Sequence, residues 1–264
     1  MISASIGSHR FETGPSYHFN GSNLEQLYDV IADPTATMEY VNTLPEAEAT
    51  PAEIREVAAS GIVRLAVKGS NMDLLQRSSN ALVDVCAGGT IDSAGFMDRY
   101  SRDVFKGEAL NNHVLDSASV LATRKNKPAE TAGIIEEKAP TDEGYFVIAL
   151  ANGGLISAAN TYIHLSEGNH SFGAVRYSRH KKGEDKPNMH PYPDQRKAWL
   201  EREAEGRQVV VVDEDYGTGQ TLRTATNYFA NLLEKEVLGV APVEVERRIT
   251  YNPLVIQSDA QPKT

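Results

Sequence analysis

Residues 209–221 of the chain read Val-Val-Val-Val-Asp-Glu-Asp-Tyr-Gly-Thr-Gly-Gln-Thr. Consecutive β-branched residues fit a strand that is buried on both faces, and the following run from Leu222 to Leu233 fits a helix. The intervening loop opens that helix, where backbone N–H groups and the helix dipole favour an anion. Asp213 and Glu214 are suited to accept hydrogen bonds from sugar hydroxyls or to face a hydrated divalent cation. A buried strand that ends in a polar turn and a capped helix is the alternative interpretation.

This pattern of four apolar residues, two acids and a Thr-Gly-x-Thr loop resembles the fingerprint of type I phosphoribosyltransferases, which bind 5-phosphoribosyl-1-pyrophosphate (PRPP). The resemblance implies that Asp213 and Glu214 hold the ribose hydroxyls and, through water, a Mg²⁺ ion, with Asp215 as the third residue of the catalytic set. It also implies a loop that wraps the 5-phosphate, formed by Gly217, Thr218, Gly219, Gln220 and Thr221. The implied enzyme is a glycosyltransferase of nucleotide metabolism, which moves phosphoribosyl to a nucleobase or another small nitrogen acceptor and releases pyrophosphate.

The carboxyl-terminal half of the chain alternates apolar strand patterns with helical ones. Tyr145–Leu150 and Phe172–Tyr177 fit strands, and Leu155–Leu165 fits a helix between them. This alternation predicts an α/β fold with a parallel sheet flanked by helices, and the resemblance makes it a type I phosphoribosyltransferase-like, Rossmann-like core. We expect that core, with hood elements at its end, over residues 131–264, and an N-terminal accessory region of unknown role over residues 1–130.

The accessory region contains two local predictions. Thr50 followed by Pro51 and Glu53 fits a helix start, and the helix is predicted to continue to Ala59. The apolar segment Ile62–Val67 is predicted to be a strand.

The resemblance assigns two further loops to the site. The loop after the first strand of the core corresponds to the pyrophosphate loop of the family, with Ala151, Asn152, Gly153 and Gly154. The long polar segment 178–193 corresponds to a mobile lid, whose basic residues would meet the pyrophosphate, namely Arg179, Lys181 and Lys182. Arg176 lies close by in the sequence, and a helix through Trp199 follows the lid. Taken without the resemblance, segment 178–193 is simply a solvated basic loop.

The acceptor is not specified by the sequence. Gly217 stands where the purine-salvage branch of the family commonly has an aspartate, and a glycine has no side chain to take a proton. Asp215 and Tyr216 are nearby candidates for that role, although the favoured roles are capping of the loop for Asp215 and packing for Tyr216. Arg247 or Arg248 is a candidate to contact an acidic acceptor or a phosphate, and exposed charge is the favoured interpretation for both.

Composition limits the remaining possibilities. The chain has 264 residues, one cysteine and a formal net charge of −10. Its length allows a full core, and a single cysteine, Cys86, excludes an intrachain disulfide framework. The acidic balance argues against a nucleic-acid partner, because phosphate-backbone binding depends on clustered Lys and Arg. No apolar run approaches the roughly 18 residues that cross a bilayer, so we expect a cytoplasmic protein without a membrane partner.

Three functions remain open. The first is a catalytic phosphoribosyltransferase that uses PRPP and a small-molecule acceptor and forms a homo-oligomer, with a dimer expected. The second is a PRPP-sensing regulatory protein that keeps the binding loops without catalysis. The third is an unrelated α/β protein that binds phosphate with no preference for PRPP.

Overall fold

The computed structural model describes residues 17–18, 50–67, 71–89, 114–115, 127–151, 154–176, 193–216, 218–244 and 251–259. The helices in these ranges are α1 (Pro51–Ala66), α2 (Met72–Cys86), α3 (Pro128–Lys138), α4 (Gly154–Tyr162), α5 (Pro193–Ala204) and α6 (Gln220–Leu233). The strands are β1 (Tyr17–His18), β2 (Val114–Leu115), β3 (Tyr145–Ala151), β4 (Ser171–Arg176), β5 (Gln208–Val212), β6 (Asp215–Tyr216), β7 (Val237–Glu244) and β8 (Tyr251–Gln257). β1 pairs with β2, and the other strands form one sheet.

The central sheet has the order β4-β3-β5-β7, and these strands are parallel. β5 and β6 pair with β7 in the same register, one after the other, since Val212 is paired with Val240 and Asp215 with Val243. β8 pairs with the other edge of β7 and is antiparallel to it. The predicted α/β sheet with flanking helices is confirmed, but the prediction of a parallel sheet is wrong because of β8. Only residues 245–250 connect β7 to β8, too few for the crossover that a parallel neighbour requires.

Alternate side chains of the strands enter two separate apolar layers. Val147 and Val210 belong to a first layer, which also contains buried residues of α1, α2, α3 and α4. Ile148 and Val211 belong to a second layer, together with buried residues of α5 and α6. The valines of β5 are fully buried, as the sequence predicted. Helices on both faces therefore hold the ends of the central strands in place.

Helix α1 begins at a reciprocal cap, as predicted from the sequence. The Thr50 N–H donates to Glu53 Oε2 (2.6 Å), and the Glu53 N–H donates to Thr50 Oγ1 (3.3 Å). The strand predicted for Ile62–Val67 is wrong, because α1 continues to Ala66 and Val67 closes its last turn on the Val63 carbonyl (2.9 Å). Residues on nearly every side of this part of α1 are buried, so the sequence loses the periodicity that marks a surface helix.

Helices α1 and α2 precede residue 131 and nevertheless pack on the sheet. Gln76 of α2 donates through Nε2 to the Phe172 carbonyl of β4 (3.2 Å) and accepts a bond from the indole N–H of Trp199 (3.0 Å). The first of these bonds covers an edge strand, since β4 stands at the end of the sheet formed by the described strands. The first two helices thus contribute to the core that supports the carboxyl-terminal half.

Glu56 of α1 makes the stability of this packing depend on pH. Burial raises its pKa from the ordinary 4.5 to about 7, while a side-chain hydrogen bond with Asn160 of α4 lowers it and repulsion from Glu53 raises it. The folded state therefore binds a proton that the unfolded state releases between these values, so stability falls as pH rises from about 4.5 to 7. We expect Glu56→Gln to abolish this decline and to stabilise the protein at pH 8 by roughly 3 kcal/mol. Urea unfolding at pH 5 and pH 8 measures the effect, and equal pH dependence in the two proteins would contradict it.

Candidate functional site

The carboxyl ends of β3 and β5 lie side by side where the strand order reverses. β3 leads through α4 to β4 on one side, and β5 leads through α6 to β7 on the other side. α4 packs on the first apolar layer and α6 on the second. In open α/β sheets, a crevice that accepts a ligand forms at such a switch point. The loops that follow these two strands contain the residues that the sequence analysis singled out.

Asp213 and Glu214 occupy the gap between β5 and β6. The Asp213 N–H donates to the Val240 carbonyl (3.1 Å), so pairing with β7 continues to the first acid. Asp213 Oδ1 accepts a hydrogen bond from the Glu214 N–H (3.0 Å). Both residues are half-buried, so part of each is exposed to solvent. Side chains in this position are able to accept hydrogen bonds from neighbouring hydroxyls of a sugar.

The start of α6 follows directly. Its N-cap is Gly219, which has a φ of 70° and makes no side-chain cap. Thr218 and Gln220 are exposed, and the Gln220 N–H is 3.4 Å from Thr218 Oγ1. Thr221 is half-buried. A glycine N-cap with left-handed φ brings the chain close to the first turn of the helix, where an anion is favoured. A Cβ at Gly219 would lie 2.5 Å from Leu254 Cδ2, so the loop is packed against β8.

The predicted pyrophosphate loop ends next to the carboxyl end of β5, the strand that Asp213 and Glu214 follow. Ala151 is the last residue of β3 and is buried, and Gly154 is the first residue of α4. A Cβ added at Gly154 would lie 2.6 Å from the Val212 carbonyl oxygen and 2.9 Å from Asp213 Cα. The start of α4 therefore lies directly against the end of β5.

Arg196, which the sequence did not mark as a candidate site residue, is influenced by the charge of Arg176 at the end of β4. Arg176, at the end of β4, pairs in register with Ala151. Arg196 of α5 is 2% exposed and donates through Nη2 to the Val67 carbonyl (2.7 Å). Burial, and then the charge of Arg176, lower the pKa of Arg196. The sequence offers no signal for Arg196, because a buried and an exposed arginine on a polar helix look alike.

Several predicted site residues lie outside the described ranges. These are Gly217 of the phosphate loop, Asn152 and Gly153 of the pyrophosphate loop, the basic residues of the lid, Arg179, Lys181 and Lys182, and the arginines 247 and 248. Asp215 is described as a strand residue that pairs with Val243. Tyr216 is half-buried and packs against the second apolar layer, in agreement with the favoured packing role.

Within the described ranges, no three His, Cys, Asp or Glu side chains come together as a set of direct metal ligands. A Mg²⁺ ion that keeps most of its water needs only one or two carboxylates and the phosphates of a substrate. Asp213 and Glu214 fit that requirement, because both are acidic, half-buried and next to the crevice. In the same part of the chain, no helix combines the length and the apolar character that a membrane span requires.

Comparisons with known proteins found no relative. No family model matches the chain, and neither a curated protein nor a solved structure shows significant similarity to it. Function must therefore be argued from the geometry of the site.

Proposed function

We propose that the chain is a PRPP-dependent phosphoribosyltransferase of the type I kind, which moves a phosphoribosyl group to a small nitrogen acceptor. One observation carries the proposal: Gly154, at the start of α4, touches Val212 and Asp213 at the end of β5. This contact supports one site shared by the segments that follow β3 and β5, because it brings the start of α4 next to Asp213. PRPP has a phosphate at one end, a pyrophosphate at C1 and two hydroxyls between them, so it needs two anion sites and hydroxyl acceptors in that arrangement.

In the proposed reaction, an acceptor nitrogen forms a bond to C1 while the bond from C1 to the pyrophosphate oxygen breaks. The pyrophosphate leaves with the electron pair. Asp213 and Glu214 fix the ribose through its hydroxyls, and the first turn of α6 binds the 5-phosphate. Mg²⁺, when bound with PRPP, neutralises charge on the pyrophosphate. Negative charge grows on the leaving oxygen in the transition state, so backbone donors at the start of α4 and the guanidinium of Arg176 lower the barrier by stabilising it.

The direct test is ligand binding to the purified protein, followed by turnover. We expect PRPP with Mg²⁺ to bind at least ~10-fold more tightly than ribose 5-phosphate, because the pyrophosphate adds charge-assisted hydrogen bonds. Isothermal titration calorimetry measures both affinities, with inorganic phosphate as the reference for a general phosphate site. Pyrophosphate release is then followed with a panel of nucleobases.

The outcomes separate the candidate functions. PRPP binding with pyrophosphate release supports the transferase. Tight PRPP binding without release for any acceptor replaces it with the sensing function. Equal affinity for PRPP, ribose 5-phosphate and inorganic phosphate contradicts both, and leaves a general phosphate-binding protein.

A further inference from the structure

A pocket lies at the end of the sheet opposite to the acid pair. Its volume is about 160 Å³, and the residues that line it include Lys138, Ala139, Gln208, Glu236, Leu238 and Gln257. These residues belong to the end of α3 and to the adjacent ends of β5, β7 and β8. Gln208 begins β5 and precedes Asp213 by five residues, or roughly 16 Å along an extended strand. The pocket is therefore separate from the candidate functional site.

Polar side chains from three neighbouring strands share one face of the sheet at this pocket. Alternation along β5 places Gln208 on the face of Val210. The same alternation places Glu236, immediately before β7, on the face of Leu238. Gln257 is paired in register with Leu238 and shares that face. Val210 and Leu238 belong to the first apolar layer, so the three polar side chains stand where this layer ends.

Gln208 and Glu236 supply hydrogen-bond acceptors to the pocket. Gln208 donates through Nε2 to the Glu236 backbone carbonyl (3.2 Å), which assigns the other end of its amide, Oε1, as an acceptor. Within the described ranges, neither this Oε1 nor the carboxylate of Glu236 makes a hydrogen bond or an ion pair. An ammonium group has three N–H donors and no acceptor, so it is complementary to this pair of groups.

Lys138 adds a positive charge to the same pocket. Its Nζ pairs with Glu137 Oε1 (2.7 Å) and not with Glu236. The side chains of Lys138 and Glu137 are 51% and 69% exposed, and an ion pair at such a site contributes little. Lys138 can therefore exchange Glu137 for the carboxylate of a ligand at small cost. The pocket thus presents two opposite charges that do not neutralise each other.

We propose that this pocket binds a small free α-amino acid, whose ammonium group meets Glu236 and Gln208 and whose carboxylate meets Lys138. A zwitterion satisfies both charges at once, whereas an amine or a carboxylic acid satisfies only one of them. An apolar cavity of about 150 Å³ binds benzene, so a volume of about 160 Å³ suits a ligand of roughly six to eight non-hydrogen atoms. Alanine, serine and threonine have this size. The inference does not depend on the proposed transferase function.

L-Serine and two analogues that each lack one charge test the proposal on the purified protein. 3-Hydroxypropionate has no ammonium group, and ethanolamine has no carboxylate. We expect L-serine to bind with a Kd of about 1 mM or lower, which a ligand of this size can reach. It should bind at least ~10-fold more tightly than either analogue, because each lost contact is a charge-assisted hydrogen bond. Calorimetric titration measures the three affinities, and L-alanine and L-threonine are titrated in the same way.

Two substitutions separate the two charges of the pocket. Glu236→Gln removes the negative charge at nearly constant size, so L-serine should then bind within about threefold of 3-hydroxypropionate. Lys138→Gln removes the positive charge, so L-serine should then bind within about threefold of ethanolamine. A general effect on the fold would weaken all three compounds alike and would not produce this crossed pattern. Thermal unfolding of both variants should give the original Tm, because both side chains are exposed.

Two exposed residues outside the pocket give the matched controls. Lys197 of α5 pairs with Glu201 (3.5 Å) and is 50% exposed, nearly as much as Lys138. Glu205, just after α5, is an exposed glutamate. Lys197→Gln and Glu205→Gln repeat the two changes of charge and should leave the affinity for L-serine within about twofold, because distant exposed charges are screened.

Three results would overturn the inference. The first is a Kd above about 10 mM for all three amino acids, and the second is equal affinity for L-serine and its two analogues. The third is binding of L-serine that both pocket variants leave unchanged, which would place the ligand elsewhere on the protein. None of these results bears on PRPP, whose binding is measured separately, so the inference and the proposed function fail independently.

Discussion

Replacing Asp213 and Glu214 together by alanine is expected to reduce PRPP affinity by at least ~100-fold, because the ribose loses two ionised acceptors that each contribute about 1.5–3 kcal/mol. The fold should survive, since both side chains are half-buried and lie between β5 and β6 rather than in an apolar layer. The local stability loss includes the bond from the Glu214 N–H to Asp213 Oδ1, worth about 1 kcal/mol. Calorimetric titration with PRPP and with ribose 5-phosphate measures the effect, and both affinities should fall because both ligands carry the ribose hydroxyls.

A second acidic pair, at the amino end of the central strand β3, gives a control for charge. Asp142 and Glu143 are exposed and come just before β3. Replacing both by alanine removes the same formal charge from the protein but leaves the crevice unchanged. PRPP affinity should then stay within about twofold, because exposed charges beyond a Debye length of about 10 Å are screened. If the two double variants lose PRPP affinity equally, the effect is one of net charge and the assigned role of Asp213 and Glu214 is wrong.

The parts of the fold that the sequence predicted are those with a strong local pattern. Four consecutive valines in β5 predicted a strand that is buried on both faces, and all four valines are fully buried. The helices predicted after β3 and after the fingerprint are α4 and α6, because their apolar residues recur at helical spacing next to glycine-containing loops. The cap at Thr50 was also predictable, since it depends on residues only three positions apart.

The parts that the sequence did not predict depend on contacts between distant segments. Residues 62–67 are apolar except for Arg64 and partly β-branched, and they fit a strand until α2 and the sheet are known to surround them. The direction of β8 depends on the short connection after β7, and its sequence pattern is the same for parallel and antiparallel pairing. The acid pair could be identified by its residue types, whereas its place at the switch point follows from the strand order.

The same limit applies within the candidate site. Glu244 and Asn252 are eight positions apart and meet because β7 and β8 are adjacent. Arg196 meets the end of α1 across 129 positions. Neither pair has a spacing that a motif could capture. Sequence reasoning therefore identified the residues proposed to bind PRPP, which are close in sequence, and missed the contacts between β7 and β8 and between α5 and the end of α1.

Replacing Gly154 by alanine is expected to weaken PRPP binding by about 10–100-fold, through displacement of α4 from the end of β5. The new Cβ would lie 2.6 Å from the Val212 carbonyl oxygen, and a backbone atom in a central strand has little freedom to move. Overpacking of this kind also costs about 1–3 kcal/mol of stability. Ribose 5-phosphate affinity should change far less than PRPP affinity, because the 5-phosphate is proposed to bind at α6. Calorimetry with the two ligands measures that difference.

Gly133 gives the matched control for this substitution. It lies on an exposed position of α3, and a Cβ there would meet no atom within 4 Å. Gly133→Ala should therefore raise the free energy of unfolding by about 0.5–1 kcal/mol, since alanine loses less backbone entropy in a helix, and should leave PRPP affinity unchanged.

An equal loss of PRPP and ribose 5-phosphate affinity in Gly154→Ala would mean that the start of α4 affects the binding of both ligands and not of the pyrophosphate alone. The pyrophosphate would then have to bind elsewhere, because the contact between α4 and β5 would carry no selectivity for it.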